Sequence, residues 1–398
     1  MNPPGSATGV SRREVLLGTA AGLGLSGLRP TRQTGRGRRV AIFLPGIMSS
    51  VLTSRTGAGP TEIWSRSIDR TVYGVLVRNP ELLRFTGRPI PPGDTDVLDS
   101  AHYLFLTWRY STGLLGLLEK HDDFQRAGGL LRFSYDWRQD FREILGQLAT
   151  SLRDGVGLAH ERGRALEHPD LQVFVIGHSM GGVLAFLAVA GGLIHPNNVA
   201  RLVLLAPPLG GAAAAFRSLF DVARFPVLRE AYLARWGRNF RLAWTHLHDV
   251  IGTFPSTYQL MPPAGRQFVH DRDTGGWIDP FGQLPDAGAK AAREAHAAIA
   301  QGFANFPVPR GRVHLIYGTG IDTETEYHVT RKTTGGTLFS LVPPGALTDP
   351  AGDGTVTAES ATYGGQMAAL GTTHYFELVE HSTMCDSPRV LELMKTLL

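Results

Sequence analysis

Cys385 is the only cysteine among the 398 residues, so the chain cannot close an intramolecular disulfide. Scaffolds stapled by paired cysteines are therefore excluded. Charge of one sign is lacking as well. The formal net charge is only +4, and part of that excess comes from Arg12, Arg13, Arg29, Arg32, Arg36, Arg38 and Arg39 near the N-terminus. The remainder is close to neutral, which removes the electrostatic case for a nucleic-acid binder. No P-loop is present, and Gly177 to Gly182 lacks the G-x-G-x-x-G spacing of a dinucleotide site. Metal-ligand spacing is also missing. His246 and His248 are two residues apart, and i,i+2 positions of a helix do not share a face. Asp349 and Asp353 are too sparse for a calcium loop. The sequence thus calls for neither a cofactor nor a metal. Outside the N-terminal segment no apolar run reaches the ~18 residues that span a bilayer, and no internal repeat is visible.

What the N-terminus does have is a pattern. Ser11-Arg12-Arg13-Glu14-Val15-Leu16-Leu17 resembles a twin-arginine export signal, with a mildly apolar, Ala/Gly-rich stretch from Val15 to Leu28. That route carries folded proteins, which suits a chain without disulfides. Residues 1–38 read as export signal and linker, and the protein is expected outside the cell or in its envelope. No clean A-x-A cleavage site precedes Arg29, so retention of the segment as an anchor stays open.

Hydrophobic residues make up 43% of the chain, enough for a large core. Val40 to Leu44 is a core strand ended by Pro45-Gly46, and Leu130 to Phe133, Val173 to Ile176, Leu202 to Leu205, Val313 to Tyr317 and Tyr375 to Val379 follow the same pattern. Between them, Phe141, Ile144, Leu145, Leu148 and Leu152 recur at helical spacing, and Pro388 to Leu397 forms a closing helix. Strands alternating with helices predict an α/β fold with a mostly parallel central sheet. The core divides into residues 39–211 and 303–398. Residues of about 52–100, rich in Gly, Pro, Thr and Arg, read as loops and short elements rather than core. Residues 212–302 read as a mostly helical cap carrying Phe216, Phe220, Phe225, Tyr232, Trp236, Phe240, Trp244 and Trp277. Thr319 to Thr348 reads as a long hairpin.

The chemistry-bearing stretch is Val173 to Gly182, VFVIGHSMGG, with an apolar helix running on from Val183 to Ala190. Gly177-His178-Ser179-Met180-Gly181 fits G-x-S-x-G between a strand and a helix. So sharp a turn strains the serine backbone and requires flanking residues without side chains. It also exposes the hydroxyl at a helix N-terminus, where the dipole favours negative charge. A serine hydroxyl needs an imidazole to accept its proton, and the imidazole needs an acid to fix its tautomer. On this kind of turn the partners follow in the order Ser, Asp, His. His381 sits just past the last strand, whereas His374 precedes it. Asp353, flanked by Gly352 and Gly354, is favoured as the acid, with Asp322 as a rival nearer the strand Val313 to Tyr317. Backbone N–H groups of Met180 and Ile47, or of Met48 in place of Ile47, would form the oxyanion hole.

Several motifs together resemble the lecithin:cholesterol acyltransferase family, which includes lysosomal phospholipases. They are Leu44-Pro45-Gly46-Ile47, Tyr135-Asp136-Trp137-Arg138, Gly177 to Gly182, Phe254-Pro255-Ser256 with Leu260-Met261-Pro262, Tyr317-Gly318-Thr319-Gly320, Gly352-Asp353-Gly354-Thr355-Val356 and Glu380-His381. The resemblance implies an α/β-hydrolase core with a cap and a lid loop, and it selects Asp353 over Asp322. It also implies an acyl-serine intermediate formed from a lipid ester or other acyl ester, at a lipid surface, with water or an alcohol as acceptor. Trp64 lies near the family's lid by position only and is assigned no role. An esterase for other esters and a silent hydrolase-fold binding protein are the competing readings.

Overall fold

A computed structural model describes residues 37–55, 59–103, 106–126, 128–161, 164–219, 246–247, 249–331 and 339–398. The twin-arginine pattern lies outside these residues, as do His248, Phe220, Phe225, Tyr232, Trp236, Phe240 and Trp244.

The apolar runs become six strands: β1 (Arg38–Leu44), β2 (Leu130–Arg132), β3 (Leu171–His178), β4 (Val199–Leu205), β5 (Val313–Thr319) and β6 (Thr372–Glu377). They form one sheet in the order β6-β5-β4-β3-β1-β2, and every neighbouring pair is parallel. The longer helices are α1 (Thr112–Lys120), α2 (Phe141–Ser151), α3 (Met180–Ala190), α4 (Asp286–Ala304) and α5 (Pro388–Leu397).

A parallel sheet is covered on both faces, and the strand period of two sorts its side chains. Val40, Ile42, Leu44, Val173, Val175, Leu202 and Leu204 enter one core together with α3. Ala41, Phe43, Phe174, Ile176, Val203 and Leu205 enter the other, with Leu114 and Leu118 of α1 and Val390 and Met394 of α5. Helix α3 is buried all round, from Met180 to Val189. Helix α2 shows the opposite design: Ile144 and Leu148 are buried, and the Asp140 carboxylate caps its N-terminus by accepting from the Arg142 N–H.

Four expectations need correction. The stretch 52–100 holds short elements, as expected, but it is part of the core rather than outside it. Ser50–Ser54, Thr61–Trp64 and Thr95–Val97 form a three-stranded sheet, and Leu52, Ile63, Trp64, Val75, Leu76 and Leu83 are buried in the main core. Strands this short carry too few residues for a periodic signal. Next, the region read as a mostly helical cap also holds the strands Val269–Asp271 and Gly276–Trp277. These extend the expected hairpin, Thr323–Arg331 with Phe339–Asp349, into a four-stranded sheet. Helix α4, read largely with the cap, packs instead on α3: a Cβ at Gly302 would meet the Phe186 ring at 2.8 Å and the Ala190 Cβ at 3.1 Å. Finally, the last strand runs Thr372–Glu377 rather than Tyr375 to Val379. Leu378 turns to φ +58° and breaks it. His374 therefore lies inside β6, stacked on His314 of β5 at 5.7 Å, rather than ahead of the strand.

Candidate active site

The strand order decides where a site can form. From β1 the chain moves outward to β2, then crosses back to place β3 on the other side of β1. At such a reversal the connections leave the sheet in opposite directions and open a crevice beyond the carboxyl ends of the strands. Two segments meet there: the loop after β1, Pro45 to Ser49, and the turn from β3 into α3 at Ser179.

Ser179 has φ +55° and ψ −126°, a conformation that side chains normally avoid. Its N–H donates to the Leu205 carbonyl at 2.8 Å, tying the turn to β4. A Cβ at Gly177 would collide with the Gly181 carbonyl, and one at Gly181 with the carbonyls of Leu44 and Pro45. The turn and the loop after β1 are therefore packed backbone to backbone, which only glycine permits.

Ser179 Oγ lies 2.8 Å from His381 Nε2, and His381 Nδ1 lies 2.8 Å from Asp353 Oδ2. The other carboxylate oxygen, Asp353 Oδ1, accepts from the N–H groups of Thr355 at 3.0 Å and Val356 at 2.7 Å. With Oδ1 held by two amides, Oδ2 is left to accept from the imidazole. That places the proton on Nδ1 and the Nε2 lone pair toward the serine. The His381 N–H donates to the Asp353 carbonyl at 2.9 Å, so backbone as well as side chains joins the two loops. All three residues are buried. Asp322 is exposed; its neighbour Thr323 supports the acid loop instead, accepting from the Gly354 N–H at 2.9 Å.

A second imidazole stands beside the first. The rings of His178 and His381 are 5.1 Å apart, and His178 Nε2 is 3.0 Å from the His381 carbonyl oxygen. Burial, with a smaller effect from His381, pushes the His178 pKa down to about 3. His178 is thus neutral and donates from Nε2, steadying the backbone that carries His381.

Among the described residues, no hydrogen bond involves the N–H of Ile47 or of Met180. Aromatic side chains fix the loop around Ile47. The Tyr135 hydroxyl donates to the Pro45 carbonyl, Trp137 Nε1 to the Ser50 carbonyl at 3.2 Å, and Trp64 Nε1 to the Met48 carbonyl at 2.8 Å. No group of three or more His, Cys, Asp or Glu among the described residues is placed to hold a metal ion. His246 Nδ1 is 2.6 Å from the Leu76 carbonyl oxygen.

The family described as serine aminopeptidase, S33, matches residues 151–249, a minority of the chain that includes Ser179. Among solved structures, the Tle4–Tli4 complex contains a chain similar at TM-score 0.57 and 13% identity, covering 91% of this chain and 98% of that one. A lipase of Bacillus licheniformis in its mature form is similar at TM-score 0.36 and 12% identity, covering 93% and 96%. No curated protein matches the chain by sequence. The fold is that of an α/β-hydrolase.

Within this hydrolase fold the motifs quoted from the sequence fall close together. Asp136 and Arg138 form a buried ion pair, with Arg138 Nε 2.8 Å from Asp136 Oδ1 and Nη2 2.6 Å from Oδ2. The pair also binds the insertion: Arg138 Nη1 donates to the Leu83 carbonyl at 2.9 Å and the Ile90 N–H donates to Asp136 at 3.0 Å. Phe254 packs edge-on against Trp137 at 5.6 Å, and Gln259 Oε1 accepts from the first N–H of α2, that of Phe141, at 2.9 Å. Sequence reasoning gave no part to Trp64, whose indole N–H bonds the Met48 carbonyl, or to the His178 side chain, which bonds that of His381.

Proposed function

We propose that the protein is a serine-dependent hydrolase or acyltransferase of carboxylic esters, acting on lipid esters through an acyl-serine intermediate. The observation that carries this reading is the hydrogen-bonded chain Ser179–His381–Asp353, built on a strained turn at the reversal of strand order. Ser179 Oγ attacks the ester carbonyl while His381 Nε2 takes its proton. Asp353 stabilises the imidazolium and holds it in place. The N–H groups of Ile47 and Met180 receive the developing oxyanion. As the tetrahedral intermediate collapses, His381 returns the proton to the departing alcohol. Water or a second alcohol, deprotonated by the same imidazole, then releases the acyl group and regenerates the serine.

The lipid preference is supported by the apolar side chains that line the loop after β1, Ile47 and Met48, and by the motifs shared with the lecithin:cholesterol acyltransferase family. The serine aminopeptidase likeness spans the nucleophile turn, which esterases and peptidases have in common. The deciding experiment incubates the protein, with Ser179→Ala as control, in phospholipid vesicles containing a sterol. Free fatty acid, abolished in the variant, marks a phospholipase, and sterol ester marks an acyltransferase. Silence from the folded wild type, with cleavage of an amino-acid anilide instead, would overturn the ester reading.

A further inference from the structure

The triad alone does not decide how the acyl-serine is released. Water and an alcohol both hand a proton to the same nitrogen, His381 Nε2. They differ in what is left over. An alcohol has one O–H, and His381 takes it up. Water has two, so one hydrogen stays on the attacking oxygen and can be donated to a second acceptor. An acceptor beside Ser179 and His381 therefore favours water over a monohydric alcohol.

His178 supplies such an acceptor. Its Nε2 lies 3.0 Å from the His381 carbonyl oxygen, which can only accept, so Nε2 carries the ring proton. Burial keeps the ring neutral, with its pKa pushed down to about 3. Nδ1 is then an unprotonated acceptor. Among the described residues it has no hydrogen-bond partner, yet it is not one of the enclosed polar atoms, so it opens onto accessible space. That space borders the nucleophile. A Cβ at Gly46 would come 3.5 Å from His178 Nδ1 and 3.5 Å from Ser179 Oγ, so the bare side of Gly46 neighbours both atoms. The rings of His178 and His381 are 5.1 Å apart, a separation that one oxygen hydrogen-bonded to both can bridge. His178 meets His381 through ring and main chain. It thus stands on the side of Ser179 where the departing alcohol is protonated and its successor arrives.

We propose that His178 Nδ1 accepts the second hydrogen of the deacylating water, holding that water between the two imidazoles and biasing the acyl-serine toward hydrolysis. In this step the water oxygen bonds to the acyl carbon and one proton passes to His381 Nε2. That proton goes on to Ser179 Oγ as the acyl–oxygen bond breaks, and the hydrogen directed at His178 stays on the free acid. The proposal rests on the serine-hydrolase reading above and chooses between its two acceptors.

The test follows how the acyl-enzyme divides between water and 1-propanol, read as free acid against propyl ester from one chromogenic acyl ester. This ratio is set after acylation, so a variant that merely loses active enzyme does not move it. His178→Gln keeps a donor for the His381 carbonyl and loses the Nδ1 acceptor. His178→Asn does the reverse, since its amide oxygen reaches the Nδ1 position but its nitrogen falls short of the carbonyl. His178→Leu matches asparagine in shape and offers neither group. One net hydrogen bond is worth about three- to tenfold in rate. His178→Gln and His178→Leu should therefore shift the ratio toward ester by that factor, while His178→Asn stays close to wild type. If His178→Gln fails to fold, the comparison of His178→Asn with His178→Leu decides the matter. Equal ratios in wild type and His178→Gln, or in His178→Asn and His178→Leu, would overturn the proposal. Wild type that cleaves no acyl ester would refute the hydrolase reading and the His178 role with it, whereas active wild type with unmoved ratios in the variants would refute the His178 role alone.

Discussion

Asp353 shows how much one carboxylate has to do. Two backbone amides occupy Oδ1, and Oδ2 sets the His381 tautomer. Asp353→Asn keeps the size and the loop, but its amide nitrogen in the Oδ2 position would donate where the imidazole also donates. The imidazole then turns its proton toward the serine and cannot act as a base. A fall of about 10⁴ in kcat is expected, the size seen when the same change is made in a serine protease triad. It should come with little change in thermal midpoint; a loss below tenfold would remove Asp353 from the mechanism. Ser179, Asp353 and His381 were legible because chain order and glycine-flanked turns leave a pattern. Trp64 and His178 were not. An indole or imidazole N–H that meets a backbone carbonyl can do so from anywhere in the chain, and leaves no spacing to read.

Among the elements, legibility followed length and periodicity. Helices α2 and α5 are amphipathic, so their buried positions, Ile144 and Leu148 or Val390 and Met394, stand out at helical spacing. The strands of the insertion are three to five residues long and are paired by tertiary context. The Val269–Asp271 strand pairs with Thr323–Arg331, beyond α4 and β5, so no local signal announces it. The insertion is joined to the core by the Asp136–Arg138 pair among other contacts, and the side chains of that pair are 0% and 4% exposed. Asp136→Ala leaves the guanidinium buried without its counter-charge, and strips the Ile90 N–H of its acceptor. Breaking a buried pair on one side costs about 3–5 kcal/mol, and a loss of that order is expected in urea unfolding. A loss below about 1 kcal/mol would mean that the other contacts of the insertion hold it without the pair.

For the whole molecule, the parallel sheet and the place of the site within it followed from alternating strands and helices, although Ser179 and His381 are 202 residues apart. What composition and order cannot convey is the cost of burying polar groups to bring such distant loops together, and that cost is readable as a response to acid. His178 is buried beside His381, with a pKa pushed from its ordinary 6.5 to about 3. Burial likewise lowers His314, to about 4, aided by His374 and Arg201. Above pH 6.5 such a histidine is neutral in both the folded and the unfolded chain and contributes no pH dependence. As pH falls below 6.5 the unfolded chain takes up a proton that the folded one refuses, so folding stability drops until the folded pKa is reached. For His178 alone the slope approaches ~1.4 kcal/mol per pH unit between about pH 6 and pH 3. His178→Gln keeps a donor for the His381 carbonyl and cannot titrate. Its stability curve should therefore run flatter than wild type across that window and parallel to it above pH 7, as measured by urea unfolding at a series of pH values. Curves that stay parallel down to pH 4 would show that His178 is protonated in the folded protein. That would also make it a cation beside His381 at such pH, and a poor neighbour for an imidazole that, in the mechanism proposed, becomes charged when Ser179 attacks.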